Sequence, residues 1–461
     1  MSSARFRFTT RSGISTNIFN FKLSTSTLRS QTHKLSSLSR IPQHPPRKTL
    51  SAFRYNPPTP TSTSTRPFTT TMPPTSKPEI PPLSKPSSSS GADKGPLPIR
   101  PSSSVILLSP INQVLLLHRV AKSTSFASAH VFPGGNLSEF HEGEYYPLPT
   151  KDGELHRDSK AYRLAAVRET FEESGILLAR RKDDGGGAGK EMLELSEEEL
   201  EEGRREVFGD RVKFTAWLEG KGGVADVENL VPFTRWITPQ NQRKRFTTQM
   251  YLYMLPLNTT TAESQTTTIV QTPTHDGGVE HTAALFDSPS TWLAKASAGE
   301  IILYPPQFYL LTLISRFLPI QSSDYDEQRK RLVSFLRRVP TSSVKHPTSD
   351  IPWAEKVMSP EVVSFAKQGS YGNGRVILGL AKPGRELVDS GRGGDVERVI
   401  LVDFRKEEVE EVKEEQTEGG EVVKKVIKTA VRVPRDLEVM ERAEAMAMAA
   451  APEKKEKGSK L

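Results

Sequence analysis

Three glutamates lie within about one helical turn in the segment from Arg168 to Ile176. Glu169, Glu172 and Glu173 occupy positions i, i+3 and i+4, so in a helix their carboxylates share one face. Like charges at this spacing repel, and a divalent cation relieves the repulsion. Oxygen donors in this number suit Mg²⁺ or Mn²⁺, which often keep water and substrate phosphate in their remaining positions. The spacing therefore predicts a metal site that could activate water and neutralise a diphosphate.

A second acidic segment, from Leu195 to Glu202, serves as an internal control. It is equally rich in glutamate, and we interpret it as the exposed face of a helix. The first segment differs in its context, because Arg168 precedes its glutamates, Gly175 follows them, and a Pro-Gly-Gly loop follows an apolar strand at Val131. This context favours a metal site over a solvated helix face.

The composition excludes several kinds of site and partner. None of the 461 residues is cysteine, which excludes disulfides, thiolate catalysis and cysteine-ligated zinc. Of the 63 basic residues, 12 precede the first acidic residue, Glu79, and the other 51 face 55 acidic residues. The net charge of +8 therefore belongs to the N-terminal segment, and we expect no nucleic-acid binding. The best apolar stretch, from Ile301 to Ile320, is interrupted by Pro305, Pro306, Gln307 and Arg316, so we expect no membrane span.

Local patterns predict the elements that would position the glutamates. Strands at 103–108 and 113–119 should form a hairpin, because turn-forming residues separate two short apolar runs. A helix is expected at 159–178, with Gly175 near its end as a cap. The further expected elements are a Gly-rich linker at 182–189, an acidic helix at 191–207, a strand at 247–255, helices at 290–299 and up to 317, and strands at 375–380, 398–404 and 422–433, the last two separated by a charged run at 405–415.

Two segments together resemble the Nudix box. The family pattern is a glycine, a glutamate some residues later, and then Arg-Glu, an apolar residue, any residue, Glu-Glu, any residue, glycine and an apolar residue. The segment from Arg168 to Ile176 meets the second half except that Thr170 occupies an apolar slot, and Phe132-Pro133-Gly134-Gly135 is similar to the opening loop. The resemblance implies an α/β fold, the Nudix α/β/α sandwich with a mixed β-sheet, here with an acidic helical insertion and a C-terminal β-containing extension.

The resemblance also implies roles for these residues. Glu172 and Glu173 would be the principal metal ligands, and Glu169 would be a ligand or the base that acts on water. Arg168 would brace the loop through an ion pair, and the two loop glycines would permit a close backbone approach that a side chain would block. The implied cofactor is Mg²⁺ or Mn²⁺. The implied reaction is attack of activated water on one phosphorus of a diphosphate bridge.

Three further residues could complete the site. Arg119, at a strand end, and Arg245 could bind substrate phosphates as charged donors, although an arginine at a strand end is often simply solvated. Glu280 follows a Gly-Gly loop, where some Nudix members have a carboxylate that assists the water. A loop glutamate can equally be just exposed.

The spacing departs from the family pattern at one position. The usual box has a glutamate nine residues before Glu169, but this position is Lys160. Glu142, Glu144 and Glu154 lie in the intervening loop. The sequence alone does not choose among these three carboxylates.

An insertion at this point resembles the subgroup of peroxisomal coenzyme A-cleaving Nudix enzymes of vertebrates, and 235–239 and 245–248 are also similar to that subgroup. The resemblance implies a small-molecule substrate with a nucleoside diphosphate linkage, namely coenzyme A or acyl-CoA, and the products 3′,5′-ADP and 4′-phosphopantetheine or its acyl form. The alternatives are an ADP-ribose, NADH or dinucleotide pyrophosphatase, and a Nudix-like module that binds nucleotides without turnover.

Both ends of the chain have compositions typical of targeting segments. Residues 1–95 are rich in Ser, Thr, Pro and Arg, as in a mitochondrial transit peptide; a plain disordered tail, or a start at Met72, would explain the same composition. Ser459-Lys460-Leu461 is the tripeptide that a peroxisomal import receptor recognises. We expect a peroxisomal location, with mitochondria as a second one. The expected organisation is a disordered segment at 1–95, a Nudix domain at 96–318, a C-terminal extension at 319–440 and a flexible tail at 441–461.

Overall fold

The computed structural model describes residues 98–120, 127–146, 154–183, 185–242, 244–257, 273–274, 281–366, 374–416 and 422–450. The strands in these ranges are β1 (Ile99–Leu108), β2 (Val114–Arg119), β3 (His130–Val131), β4 (Gly134–Asn136), β5 (Ala179–Lys182), β6 (Ala188–Met192), β7 (Gly223–Ala225), β8 (Val231–Ile237), β9 (Arg245–Met254), β10 (His281–Asp287), β11 (Val357–Met358), β12 (Glu361–Phe365), β13 (Val376–Leu380), β14 (Asp395–Gln416) and β15 (Val422–Glu441). The α-helices are α1 (Glu139–Glu142), α2 (Lys160–Ser174), α3 (Glu197–Phe208), α4 (Phe214–Gly220), α5 (Pro289–Ser297), α6 (Pro305–Ser315), α7 (Tyr325–Arg337) and α8 (Arg442–Ala450).

Strand β1 organises the main sheet. It pairs in parallel with β9 and antiparallel with β2 and β4, and the strand order is β10-β2-β1-β9-β8-β11, with β3 on β2 and β4 on β1. The sheet is therefore mixed, as predicted. The predicted hairpin is confirmed, since Leu108 of β1 faces Val114 of β2.

The side chains of β1 alternate between two hydrophobic layers. Val105 and Leu107 pack in the cluster that contains α2, whereas Ile106 and Leu108 pack in the cluster that contains α5 and α6. Successive residues of a strand point to opposite faces of a sheet, so helices cover both faces of β1. This arrangement is the predicted α/β/α sandwich.

The segment after α2 forms a small subdomain, which we call the acidic insertion (residues 179–225). The Gly-rich linker predicted at 182–189 is shorter than predicted, because β5 ends at Lys182 and β6 begins at Ala188. The two strands pair as a hairpin, and β7 adds a third strand. The acidic helix α3 starts later than predicted, after Ser196. The Ser196 side chain and Glu199 form a reciprocal capping box there, which fixes the helix start.

The chain beyond residue 318 shares the core of the main sheet. Strands β12, β13, β14 and β15 form a second antiparallel sheet, and Leu332, Trp353 and Ile400 belong to the same buried cluster as Ile106. The predicted charged interruption at 405–415 is wrong, since β14 runs unbroken to Gln416. No helix in the described ranges is long and apolar enough to cross a membrane.

Arg329 of α7 fastens the C-terminal part to the central hairpin. Its guanidinium is buried and donates to Asn112 Oδ1 (2.6 Å), Leu255 O (2.7 Å) and Ser109 O (2.8 Å). Burial lowers the pKa of Arg329 to about 10. One side chain therefore satisfies carbonyl groups at the ends of two central strands, β1 and β9.

We expect Arg329→Met to lower the free energy of unfolding by about 2 kcal/mol or more, because it leaves buried acceptors without donors. Arg331→Met is the matched control, since Arg331 lies on the same helix and is exposed; it should change stability by less than about 0.5 kcal/mol. Urea denaturation of both variants measures the difference. Equal effects of the two substitutions would contradict the role given to Arg329.

Candidate active site

The Glu-rich half of α2 lies against the loop that contains Gly134 and Gly135. The helix was predicted to reach residue 178 but ends at Ser174, because Gly175 adopts a left-handed conformation (φ 72°) and its N–H donates to Phe171 O. A positive φ of this size favours glycine. The early end leaves Glu169, Glu172 and Glu173 on the last turn and a half of the helix.

Arg168 is the centre of the carboxylate cluster. Its guanidinium lies 3.0 Å from Glu142 Oε1, 3.0 Å from Glu169 Oε1 and 3.1 Å from Glu172 Oε2, and Nη2 donates to Asn136 O (2.9 Å). Only 3% of Arg168 is exposed. Burial alone would lower the pKa of Arg168, but the three carboxylates outweigh it and raise that pKa. Arg168 is thus a permanently charged brace between α1, α2 and the loop.

The ion pair with Arg168 distinguishes among the three candidates for the displaced glutamate. Glu142 is buried, contacts Arg168, and accepts from the Ser138 backbone N–H (2.5 Å). Glu154 is exposed in a 3-10 turn. The Glu144 side chain lies outside the described part of the structure. Among the described candidates, Glu142 is therefore the one that joins the cluster.

The two loop glycines are in close contact with their surroundings. A Cβ atom at Gly135 would lie 2.5 Å from Glu169 Oε2, and a Cβ at Gly134 would lie 2.2 Å from the Ser103 carbonyl oxygen. The Gly134 N–H donates to Glu173 Oε2 (2.7 Å). The absent side chains therefore let the loop approach both α2 and β1, and the backbone orients one of the glutamates.

The cluster carries more negative than positive charge. Burial raises the pKa of Glu169 to about 8, and the nearby Glu172 and Glu142 carboxylates act in the same direction, whereas Arg168 opposes them. Burial also raises the pKa of Glu172. One guanidinium thus faces the carboxylates of Glu142, Glu169 and Glu172, with Glu173 beside them, and this donor set fits a divalent cation. Within the described ranges, no group of three or more His, Cys, Asp or Glu side chains has the arrangement of a metal site.

The acidic insertion forms a second wall of the pocket. The pocket is lined by Asn136, Leu137, Ser138, His141, Arg168, Glu169, Glu172, Glu173, Phe208 and Asp210. Phe208 ends α3, and Asp210 follows it. No sequence pattern indicates that Phe208, Asp210 or His141 lines the pocket. They are remote from the box in sequence, and the acidic segment was interpreted as a solvated helix.

Tight packing fixes the insertion against α2. Arg204 of α3 is buried and donates to Glu172 O (2.6 Å) and Thr274 Oγ1 (3.0 Å). Trp217 of α4 stacks on Phe171 of α2 with ring centroids 5.0 Å apart. The insertion therefore bonds directly to the backbone of a glutamate in the cluster.

Two further predicted site residues, Arg245 and Arg119, do not line this pocket. Arg245 is buried, pairs with Glu386 Oε1 (2.5 Å) and donates to Thr238 O, so its assignment to substrate phosphate is corrected: its charge is already compensated by a carboxylate. Arg119 ends β2, where its backbone N–H donates to Ala129 O, and it is not among the described residues of the pocket wall. Glu280 lies outside the described residues.

Comparisons with known proteins point to one family. Residues 148–314 match the NUDT19 Nudix domain. The chain is 30% identical over 246 residues to the acyl-coenzyme A diphosphatase NUDT19 of Gallus gallus, covering 44% of this chain and 61% of that protein. It is 28% identical over 244 residues to the protein of the same name from Xenopus laevis, covering 45% and 61%. It is also 27% identical over 222 residues to putative nudix hydrolase 7 of Caenorhabditis elegans, covering 47% and 61%.

One solved structure that matches part of the chain is the NUDIX hydrolase from Alicyclobacillus acidocaldarius. It shares 22% sequence identity, with a TM-score of 0.35, and the match covers 47% of this chain and 90% of that one. The match to the three relatives spans 61% of the length of each.

Without metal, the protein should lose stability as the pH rises. The folded-state pKa of Glu169, about 8, lies above the unfolded value of about 4.3. Its contribution to stability is therefore complete below about pH 4 and is lost as the pH rises through about 8. We expect the free energy of unfolding in chelator to fall by at least about 1 kcal/mol between about pH 5 and pH 8.

Glu169→Gln should reduce this fall, because the amide cannot ionise. The exposed Glu198 of α3 provides the control variant, Glu198→Gln, which should keep the wild-type pH dependence. Denaturant unfolding across the pH range measures all three proteins. The same slope in Glu169→Gln as in wild type would contradict the raised pKa.

Proposed function

We propose that this chain, whose residues 148–314 match the NUDT19 Nudix domain, is a hydrolase that cleaves the diphosphate linkage of a nucleotide-type small molecule with Mg²⁺ or Mn²⁺. The observation that carries the proposal is the group of buried glutamates held by Arg168 over Gly134 and Gly135. Carboxylates in excess over positively charged groups suit a divalent ion, and this ion would neutralise the charge of a diphosphate.

Coenzyme A or acyl-CoA is the proposed substrate, with 3′,5′-ADP and 4′-phosphopantetheine or its acyl form as products. The support is the name of the Gallus gallus and Xenopus laevis relatives, acyl-coenzyme A diphosphatase. The sequence resemblance at 235–239 and 245–248 points in the same direction. An ADP-ribose, NADH or dinucleotide pyrophosphatase is the alternative within the same chemistry.

In the proposed reaction, a water oxygen forms a bond to one phosphorus, the bridging P–O bond breaks, and the water proton passes to a carboxylate. Glu172 and Glu173 would hold the cation, with Glu169 as a further ligand or as the base. When bound, the cation would lower the pKa of water and neutralise charge on the diphosphate. Arg168 is buried among its carboxylate partners, so its role would be to position the glutamates.

A nucleotide-binding module without turnover is the second candidate. This candidate is suggested by Lys160, which occupies the position where the usual Nudix box has a glutamate. Glu142 supplies a buried carboxylate to Arg168 from a different part of the loop, which supports a complete brace and favours the enzyme.

The test is incubation of the full chain with Mg²⁺ and a panel of coenzyme A, acetyl-CoA, NADH, ADP-ribose and dinucleotides, with products identified by mass spectrometry. We expect 3′,5′-ADP from coenzyme A species. Glu172→Gln should lower turnover by more than about 100-fold, since even residues around metal ligands cost about 10–100-fold. Glu198→Gln, on the exposed face of α3, should keep wild-type turnover.

Each result bears on a different part of the proposal. Preference for another diphosphate would keep the reaction and replace the substrate. Nucleotide binding without products from any compound would favour the non-catalytic module. An equal loss of turnover in Glu172→Gln and Glu198→Gln would contradict the assignment of the active site.

We also propose import into peroxisomes through Ser459-Lys460-Leu461, with mitochondria as a second destination of chains that retain residues 1–71. The support is the type of tripeptide. In cells, a fluorescent protein fused before residue 72 should reach peroxisomes with residues 72–461 and lose that location when the last three residues are deleted. Unchanged localisation after the deletion would argue against this signal.

A further inference from the structure

Asp210 is a fourth carboxylate that lines the pocket, and it comes from the second wall. It lines the pocket together with Glu169, Glu172 and Glu173, although it belongs to the acidic insertion and not to the Nudix helix. Its side chain is 66% exposed, so a solvated ion can reach it. Burial is the main cause that raises the pKa of Glu172, and the negative charge of Asp210 acts in the same direction.

His141 holds Asp210 in a defined orientation. The ring Nδ1 of His141 accepts from the Phe214 backbone N–H (3.2 Å), and Nε2 lies 3.0 Å from Asp210 Oδ1. Because Nδ1 is an acceptor, the proton of the neutral ring is on Nε2, and Nε2–H donates to Asp210. The His141 side chain is only 3% exposed. A buried imidazole thus aims a largely exposed carboxylate.

The other carboxylates of the cluster already have partners. Glu169 and Glu172 share Arg168, and Glu173 accepts from Gly134 N–H. A carboxylate has about four acceptor sites, and the bond from His141 uses one of those on Asp210. Asp210 can therefore offer oxygen to a cation without giving up its orienting contact.

We propose that Asp210, positioned by His141, is an additional ligand of the divalent cation, bound directly or through one water. This inference rests on the proposed function, because it assigns a further residue to the same metal site. It gives the acidic insertion a role in the site: α3 is fixed to α2 by Arg204, so the two walls are held at a constant separation. Mg²⁺ prefers oxygen ligands that are held in fixed positions.

The test is titration of the full, metal-free chain with MnCl₂ by isothermal calorimetry. Asp210→Asn should bind Mn²⁺ at least about 10-fold more weakly than wild type. Glu202→Gln is the matched control, since Glu202 lies on the exposed side of the same insertion and should leave Mn²⁺ affinity unchanged. Wild-type affinity in Asp210→Asn, or the same loss in Glu202→Gln, would overturn the inference.

The positioning role of His141 has its own test. His141→Ala should weaken Mn²⁺ binding as Asp210→Asn does, and His141→Gln should restore part of the affinity, because the Gln amide can still donate to Asp210. A thermal melt of each variant separates lost binding from lost folding, and Asp210→Asn, at an exposed residue, carries the test if the His141 variants unfold. Equal affinity in His141→Ala and His141→Gln would exclude positioning by His141.

Glu172→Gln separates this inference from the proposed function. If Glu172→Gln abolishes Mn²⁺ binding while Asp210→Asn does not weaken it, the Nudix site stands and the role of Asp210 fails. If wild type does not bind Mn²⁺, or Glu172→Gln binds it normally, the proposed metal site itself fails and the inference fails with it.

Discussion

The structure of the site depends on the buried charge of Arg168. A guanidinium removed from water is tolerated only when anions and acceptors surround it, and here Glu142, Glu169 and Glu172 do so. These partners come from α1 and α2, and the Asn136 carbonyl of β4 adds a further bond. One side chain therefore requires three elements to meet. The glycines at 134 and 135 are the steric condition for that meeting, because a Cβ at either position would overlap α2 or β1.

The rest of the fold keeps these elements in place. β4 is paired with β1, and β1 contributes alternate side chains to both hydrophobic layers, so movement of the loop would disturb the centre of the sheet. The chain beyond residue 318 strengthens the same centre through the carbonyl bonds of Arg329 and the shared buried cluster. The C-terminal part therefore shares one hydrophobic core with the main sheet.

Sequence patterns predicted the local features well and the long-range pairings poorly. The first hairpin and the Gly175 cap follow from residues close together in the chain, so the sequence was sufficient for them. The selection of Glu142 depends on an ion pair with a residue 26 positions away, and no periodicity encodes it. Arg245 was considered a candidate for binding phosphate. The sequence does not reveal its ion pair with Glu386, because Glu386 lies 141 positions later.

The same limit explains the error at β14. A run of charges is typical of a loop when each strand is considered alone. In the structure, Arg435 of β15 pairs with Glu407 of β14 (2.7 Å), and opposite charges on neighbouring strands stabilise a sheet. The fold class and the Glu-rich helix were therefore predictable, whereas the second wall of the pocket, formed by Phe208 and Asp210, needed the tertiary packing of the insertion.

The excess of negative charge has a consequence for the proposed reaction. A diphosphate that approached Glu169, Glu172, Glu173 and Asp210 without a cation would meet like charges in a partly buried pocket, where screening is weak. The cation would remove that repulsion, so its binding and the binding of substrate favour each other. Such coupling is reciprocal by thermodynamic necessity. Burial is the main cause of the raised pKa of Glu169, and the nearby carboxylates of Glu172 and Glu142 add to it. The same confined carboxylates would hold the proposed cation.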